Sequence, residues 1–155
     1  MSSNQSQPHG GPMSESAQDV SLPPSLRDAL AEHNAKAGIE ARGVESLKVL
    51  WDVANRDSGQ CRVIAAFLLG LYNGMRFPFD LTDLRCIDRA LYEHCMNVLH
   101  MDARLCRQEV HCYFEHGDAR FQQLANDWKL IDHMAMKQQL KAYQKRFGEL
   151  DSEQA

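Results

Sequence analysis

The sequence has 155 residues, of which 44% are hydrophobic and 25% are charged, and it carries a formal net charge of −4. This length fits one domain with an appendage, and the composition excludes both a wholly disordered chain and a membrane-spanning protein. The net negative charge gives no support to a protein that coats nucleic acid or binds membranes through a polybasic surface.

The N-terminal segment differs from the rest of the sequence. Its first 24 residues contain six serines and four of the five prolines, and they hold too few apolar side chains to offset the entropy lost on ordering. We predict a disordered arm over residues 1–24, a single helical domain over residues 25–150 and a disordered tail over residues 151–155. The first residues also lack a basic start followed by an apolar run, so no signal peptide is predicted. Without a signal peptide the protein is expected in the cytoplasm, where thiols stay reduced. The five cysteines are an odd number, which also argues against a disulfide framework.

From Ser25 onward the apolar residues recur with the period of a helix. Ser25 is predicted to cap a first helix that ends at Gly38, and a second helix follows Gly43. The segment from Gln60 to Tyr72 is apolar on nearly all sides, which is typical of the buried centre of a helical bundle. Its predicted core residues are Val63, Ile64, Phe67, Leu68 and Leu71.

Two further helices are predicted between Asp80 and His116. Asp80 is a strong N-cap for the first of them. The apolar face of this helix consists of Leu84, Ile87, Leu91, Cys95 and Val98. Asp102 is predicted to cap the next helix, which runs to His116 and ends before Gly117.

A long C-terminal helix is predicted from Asp118. Its apolar stripe slips by one residue between Ala135 and Met136, which indicates that its two halves face different partners or that it is kinked near Ala135. No strand-like alternation of useful length is present, and no internal repeat is visible. The predicted fold is therefore all-α: a compact bundle of five or six helices with a long C-terminal helix and a disordered N-terminal arm.

The second half of this C-terminal helix carries the predicted interaction surface. The predicted partner-binding residues are Met136, Leu140, Tyr143 and Phe147. Between Lys129 and Arg146 five basic residues oppose one acidic residue, which is a local charge of +4. The predicted contacts for an anion or a nucleic acid are Lys137, Lys141, Lys145 and Arg146. We expect a protein partner or self-association on the apolar side of this helix. The alternative function is a nucleic-acid-associated regulator, which ranks second because the sequence has no base-reading motif.

Cysteine and histidine are frequent between Cys86 and His116. Cys112 and His116 are four residues apart, and on a helix they would share one face, as a pair of zinc ligands does. However, no Cys-x-x-Cys pair is present, and Cys95 falls on an apolar stripe, where a thiol acts as a small apolar residue. We therefore predict no metal and no cofactor, and we keep Cys112 and His116 as the weak candidates for a zinc or thiol protein.

His111, Cys112 and Glu115 form a candidate catalytic group. The carboxylate four residues from the imidazole suggests an oriented base, and the thiol is a nucleophile. On a helix, however, the side chains of His111 and Cys112 point about 100° apart. The sequence also has no phosphate loop and no nucleophile elbow, so no catalytic residue and no enzymatic activity are predicted.

Three segments of the sequence, taken together, carry a resemblance to a known family. They are Gly59 to Leu69 (GQCRVIAAFLL), Phe79 to Leu84 (FDLTDL) with Asp88 and Arg89, and Val110 to Asp118 (VHCYFEHGD). Together they resemble an uncharacterised family of small helical proteins encoded on bacterial plasmids and integrative elements, over residues 44–128. The resemblance implies an origin on a mobile element and brings no established activity or catalytic residues. The predicted function is a non-enzymatic accessory or inhibitor protein that binds a protein partner through a helical surface.

Overall fold

A computed structural model of the chain describes residues 22–153, with side chains described for residues 22–146. This part of the chain contains α-helices and 3₁₀-helices and no β-strand, so the predicted all-α class is confirmed. The elements in chain order are α1 (Pro24–Ala54), α2 (Gly59–Asn73), the 3₁₀-helix η1 (Leu81–Cys86), α3 (Arg89–Leu105), the 3₁₀-helix η2 (Val110–Tyr113), α4 (Gly117–Asp127) and α5 (His133–Glu153). Residues 1–21 of the predicted arm and residues 154–155 of the predicted tail lie outside the described residues.

The first element is one continuous helix, where the sequence predicted two. α1 has 31 residues and passes through Gly38 and Gly43 without ending, and it starts at Pro24, so Ser25 is not its cap. Gly43 has a packing role instead, because a Cβ atom built there would lie 2.3 Å from the Cβ atom of Met101 on α3. The missing side chain at this position allows α1 and α3 to approach each other closely.

α1 has two halves with different surroundings. All of its buried residues lie within residues 43–54, the inner half, which packs along α3 and α2. In the outer half, residues 24–42, Leu26 and Leu30 are about half exposed. One ion pair, between Glu40 and Arg107 at 2.8 Å, joins the outer half to the segment after α3.

α2 lies at the centre of the packed helices, as its apolar sequence predicted. Ile64 and Leu68 are completely buried and Phe67 almost so, while Val63 and Leu71 are partly buried. Burying one such side chain contributes about 1.5–3 kcal/mol to folding. This helix therefore supplies a large part of the hydrophobic core.

The helix predicted to start at Asp80 is divided in two. Asp80 does act as an N-cap, because its carboxylate accepts a hydrogen bond from the Thr82 N–H at 2.8 Å, but the helix that follows is η1. Asp88 then caps α3 by accepting a hydrogen bond from a backbone N–H of its first turn. Cys95 and Val98 are buried on α3, as predicted.

The helix predicted from Asp102 to His116 does not form. Asp102 lies inside α3, which ends where Cys106 adopts a left-handed conformation with φ of 47°. The short η2 follows and buries Val110. His116, with φ of 53°, then turns the chain so that α4 begins at Gly117, where the sequence predicted the end of a helix.

An aromatic cluster holds α4 against α1 and η2. The rings of Trp51 and Phe121 lie 5.0 Å apart, and the guanidinium of Arg120 lies 4.8 Å from the centre of the Trp51 ring. The start of α4 packs on the backbone of η2, because a Cβ atom at Gly117 would lie 1.8 Å from the carbonyl oxygen of His111. Only glycine fits this contact without a movement of the main chain.

The long helix predicted from Asp118 is also divided in two. α4 ends at Asp127 and α5 begins at His133, so residues 128–132 form a connection in place of the continuous helix that the sequence indicated. α5 is continuous through Ala135, where a kink was one of the two predicted alternatives, and the break lies before it. None of the helices in residues 22–153 combines the length and the apolarity that crossing a membrane requires.

Candidate interaction surface

The connection between α4 and α5 is held by hydrogen bonds to α1 and α2. The indole N–H of Trp128 donates to the carbonyl oxygen of Ala54, the last residue of α1, at 2.7 Å. The guanidinium of Arg62 on α2 donates to the carbonyl oxygen of Trp128, also at 2.7 Å. Lys129 has φ of 50°, a left-handed conformation that ends α4. These contacts explain why the continuous helix that the sequence indicated is interrupted here.

The start of α5 is attached to the rest of the fold by a polar network around Arg76. The guanidinium of Arg76 donates to Oδ2 of Asp132 at 2.8 Å and to Oε1 of Gln122 at 2.7 Å. The backbone N–H of His133 donates to the carbonyl oxygen of Arg76 at 2.9 Å. The network therefore joins the end of α2, the middle of α4 and the first turn of α5.

Asp132 is also the N-cap of α5. Its Oδ1 atom accepts hydrogen bonds from the backbone N–H groups of Met134 and Ala135, both at 3.0 Å. The N–H of Ala135, and after it the guanidinium of Arg76, hold the pKa of the Asp132 carboxyl below its usual value. The carboxylate is thus ionised at neutral pH, which suits both the positive end of the helix dipole and the ion pair.

Beyond this first turn, α5 exposes the predicted apolar stripe. Met136, Leu140 and Tyr143 are 49%, 56% and 60% exposed, and their spacing of four and three residues puts them on one face of the helix. Phe147, the fourth residue of the predicted stripe, has a side chain outside the described residues. The basic residues Lys137, Lys141, Lys145 and Arg146 are all exposed. α5 therefore presents an apolar face that has Lys137 and Arg146 at its two sides, while Lys141 and Lys145 point towards the opposite side of the helix.

A groove lies between α2, η1 and α3, next to the attachment of α5. We call it the α2/η1 groove; its volume is about 350 Å³, within the range of roughly 300–1,000 Å³ that ligand-binding clefts have. Its lining consists of Phe67, Gly70, Leu71, Gly74, Pro78, Phe79, Leu81 and Leu99. Pro78 also lines a smaller cleft of about 200 Å³ that includes Ile131 and His133 from the start of α5. The groove and the base of α5 thus meet at Pro78.

The segment that carries Leu81, a residue of the groove lining, has charges of both signs, because Asp80 and Asp83 are accompanied by Arg85. Asp80 and Asp83 are exposed in the same turn as Leu81. Hydrogen bonds from the backbone N–H and then the hydroxyl of Thr82 hold the pKa of the Asp80 carboxyl below its usual value. Asp80 is consequently ionised at neutral pH.

The weak metal candidates are not brought together as a helical pair. Cys112 belongs to η2, and its sulfur lies 3.5 Å from Nε2 of the adjacent His111. His116 lies beyond the end of η2 in a left-handed turn, and its ring is 3.6 Å from the exposed carboxylate of Glu115. The shared helical face considered for Cys112 and His116, and likewise for His111 and Glu115, is therefore absent. In the described part of the chain, no three His, Cys, Asp or Glu residues are grouped so that they could hold a metal ion.

His111 is partly buried and Cys61 and Cys95 are buried, whereas Cys86, Cys106 and Cys112 are exposed. The His111 ring meets the Tyr72 ring edge-on at 5.1 Å, and its Nδ1 atom is buried with no hydrogen-bond partner among the described residues. All five cysteines are free, and burial raises the pKa of the Cys95 thiol to about 12. Cys95 is therefore a protonated core residue at neutral pH, in agreement with its place on the predicted apolar stripe.

The residues that attach α5 were missed by the sequence reasoning. Arg76 and Asp132 are 56 residues apart in the chain, and their pairing has no local signal. A partial signal was present at Asp132 itself, because an aspartate before a new apolar stripe is typical of an N-cap. The α2/η1 groove was missed as well, since it is formed by segments from three elements.

Comparison with known proteins gives one match, to the model of a protein family. No curated protein matches this sequence, and no solved structure matches this fold. The model of a family described as "Family of unknown function (DUF7673)" matches residues 44–129. The matched segment begins where α1 becomes buried and ends within the connection before α5, so it corresponds to the packed part of the fold. The chain belongs to this family of unknown function, DUF7673.

Proposed function

We propose that this chain is a non-enzymatic interaction protein that binds a protein partner by laying the apolar face of α5 into a groove of that partner. One observation carries the proposal: the first turn of α5 is fixed by Arg76 and Asp132, whereas Met136, Leu140 and Tyr143 remain about half exposed or more. Anchors at positions i, i+4 and i+7 are the pattern of an amphipathic helix that binds in a groove.

The basic side chains define the chemistry of the partner. At about 100° per residue, Lys137 lies about a quarter turn to one side of the apolar stripe and Arg146 about a quarter turn to the other. A complementary partner therefore has an apolar groove with acidic residues along its edges. Such charges steer the encounter and fix the orientation of the helix, while the apolar side chains supply most of the affinity.

The proposal is tested by capture of partners with matched variants. Tagged wild-type chain, Leu140→Glu and Gln138→Glu are incubated with nuclease-treated host extract, and bound proteins are quantified by mass spectrometry. Gln138 is exposed and lies almost opposite the stripe, so Gln138→Glu controls for the added charge. We expect wild type and Gln138→Glu to capture the same stoichiometric protein, either a different protein or an untagged copy of this chain, and Leu140→Glu to lose it. Equal capture by all three variants would contradict the proposal.

A nucleic-acid-associated regulator is the second candidate, because Lys137, Lys141, Lys145 and Arg146 are all exposed on α5. Phosphate contacts made by such residues weaken steeply as salt concentration rises. Capture that disappears with nuclease, or with moderate salt in all variants alike, would favour this candidate over the protein partner.

Two narrower points belong to the proposed function. An accessory or inhibitor role for a mobile element is supported by the resemblance of residues 44–128 to proteins of plasmids and integrative elements. A cytoplasmic location is supported by the five free cysteines, because thiols persist in a reducing compartment.

A further inference from the structure

A second concave site lies where α1, α2 and α3 meet, on residues that the proposed function does not use. We call it the three-helix cavity; its volume is about 500 Å³, larger than that of the α2/η1 groove. Its lining comes from the last two turns of α1, the turn before α2, and the first two turns of α2 and α3. All of these residues lie between positions 49 and 94, inside the segment that the family model matches. The cavity is therefore a feature of the packed core, whereas α5 lies outside the matched segment.

The walls of the three-helix cavity are held by hydrogen bonds between the helices that form it. Ser46 on α1 is 2% exposed, and its hydroxyl oxygen lies 3.0 Å from Nδ1 of His94 and accepts a hydrogen bond from the Asn97 amide at 3.1 Å. Nδ1 of His94 is thereby engaged, so Nε2 is the ring nitrogen that is left for a ligand. The side chain of Gln60 on α2 accepts a hydrogen bond from the backbone N–H of Asp88 at 2.8 Å. Walls that are fixed before binding lower the entropy lost when a ligand binds.

The lining combines aliphatic side chains with charges of both signs. The aliphatic part consists of Val49, Val53, Ala90 and Leu91, and the charged part consists of Arg56, Asp57 and Asp88. One oxygen of Asp88 is already used as the N-cap of α3. In the described part of the chain, the side chains of Arg56 and Asp57 have no hydrogen-bond or ion-pair partner. Next to Asp88, Arg89 is ion-paired with Glu93 and lies outside the lining.

These charges select a class of ligand. A molecule that carries only an anion meets the carboxylates of Asp57 and Asp88, and a molecule that carries only a cation meets the guanidinium of Arg56. A molecule with both charges places its carboxylate near Arg56 and its ammonium group near Asp57, while an apolar body contacts the aliphatic lining. Arginine donates two parallel hydrogen bonds to a carboxylate, which makes such a pairing directional. An α-amino acid with a large apolar side chain has all three of these parts.

We propose that the three-helix cavity binds an apolar or aromatic α-amino acid in its zwitterionic form. Arg56 binds the carboxylate, Asp57 binds the ammonium group, and the aliphatic lining contacts the side chain of the ligand. No described residue of α5 belongs to the lining. The proposal therefore goes beyond the proposed function and adds a small-molecule ligand to a protein that binds its partner elsewhere.

A series of ligands with one aromatic body and different charges tests the proposal. L-Phenylalanine carries both charges, phenethylamine only the ammonium group and 3-phenylpropionate only the carboxylate. Each is titrated into the isotope-labelled full chain, and the backbone amide shifts are followed by NMR. With L-phenylalanine we expect saturable shifts in residues 56–61 and 88–94. Either analogue should bind about tenfold more weakly, because it lacks one set of charge-assisted hydrogen bonds.

Three outcomes of these titrations would overturn the proposal. One is equal binding of all three molecules, since the charges of the lining would then play no part in recognition. Another is a set of shifts confined to residues outside the three-helix cavity. The last is the absence of saturable shifts with L-phenylalanine and also with L-leucine, L-methionine and L-tryptophan, tested in the same way.

Two charge variants assign the roles of the lining residues. Arg56→Gln should weaken the binding of L-phenylalanine about tenfold without weakening that of phenethylamine. Asp57→Asn should weaken the binding of L-phenylalanine to a similar extent without weakening that of 3-phenylpropionate. Arg104→Gln and Asp83→Asn are the matched controls, because they remove the same charges at exposed positions outside the lining. Binding of L-phenylalanine by Arg56→Gln at wild-type strength would contradict the assignment.

A steric variant separates this site from the α5 surface. Ala90→Leu narrows the three-helix cavity and should weaken L-phenylalanine binding about tenfold or more, whereas Ala103→Leu, at an exposed position of α3 outside the lining, should not. Leu140→Glu, which is expected to lose the protein partner, should bind L-phenylalanine normally. If no amino acid binds while capture of a protein still depends on α5, this proposal is refuted and the proposed function stands.

Discussion

Replacement of Asp132 by alanine tests how α5 is attached. Asp132 makes two kinds of contact that alanine cannot make: hydrogen bonds from the N–H groups of Met134 and Ala135, and an ion pair with Arg76. Loss of a side-chain N-cap costs about 0.5–2 kcal/mol. The ion pair is partly exposed, with side-chain exposures of 24% and 25%, so its loss adds up to about 1 kcal/mol.

The two losses together are about 0.5–3 kcal/mol, which is a change on the order of 2- to 150-fold in the equilibrium between the attached and detached helix. α5 should be sensitive to this change, because a helix with few tertiary contacts is only marginally stable in water. The core of α1 to α4 should be insensitive, because it is built from side chains that Asp132 does not contact.

Backbone NMR measures both effects in one sample. In Asp132→Ala, the Cα secondary shifts and amide protection of residues 133–146 should fall, while those of α2 and α4 stay unchanged. Asp132→Asn keeps an oxygen that can cap the helix, so it should lose only the stabilisation of α5 that comes from the ion pair with Arg76. Asp127→Ala is the matched control, because that carboxylate accepts from Gln123 within α4 and makes no contact with α5 in the described structure. An unchanged α5 in Asp132→Ala, or a loss of order spread over the whole fold, would refute the reasoning.

Three further predictions concern the packed part of the fold and the pH dependence of the attachment. Gly117→Ala should lower the free energy of unfolding by about 3 kcal/mol in urea titrations, because its Cβ atom would lie 1.8 Å from the His111 carbonyl oxygen. Gly59→Ala, whose Cβ atom would have no neighbour within 4 Å, should be neutral or slightly stabilising. Trp128→Phe removes the hydrogen bond to the last carbonyl of α1 and should cost about 1–3 kcal/mol in the same titration. Folding lowers the pKa of the Asp132 carboxyl. The stability that the ionised carboxylate gives to the attached α5 is therefore complete above the ordinary aspartate pKa of about 3.9, and it is lost as the pH falls through the lowered pKa. The helical Cα secondary shifts of α5 should therefore be present at neutral pH and should decline as the pH falls below about 4.

Local features of the chain were predictable from the sequence. The all-α class, the buried position of α2 and the burial of Cys95 and Val98 all follow from the period at which apolar residues recur. The N-cap at Asp80 follows from the residue type alone. The phase slip between Ala135 and Met136 lies inside α5 and therefore did not predict the break between α4 and α5, which falls at residues 128–132.

Only the tertiary structure decided the remaining features, because they depend on what faces each residue. Glycine is typical of a helix end, but Gly43 lies opposite Met101 inside α1 and allows α1 and α3 to pack closely. The attachment of α5 depends on Arg76 and Asp132, which meet across 56 residues of sequence. A periodic pattern records which side of a segment is apolar, and it contains no information about the distant groups that come to lie against that side. For this reason the sequence by itself determined the helices of the core and the amphipathic character of α5, whereas the end of each helix, the anchor of α5 and the groove beside it were determined by packing.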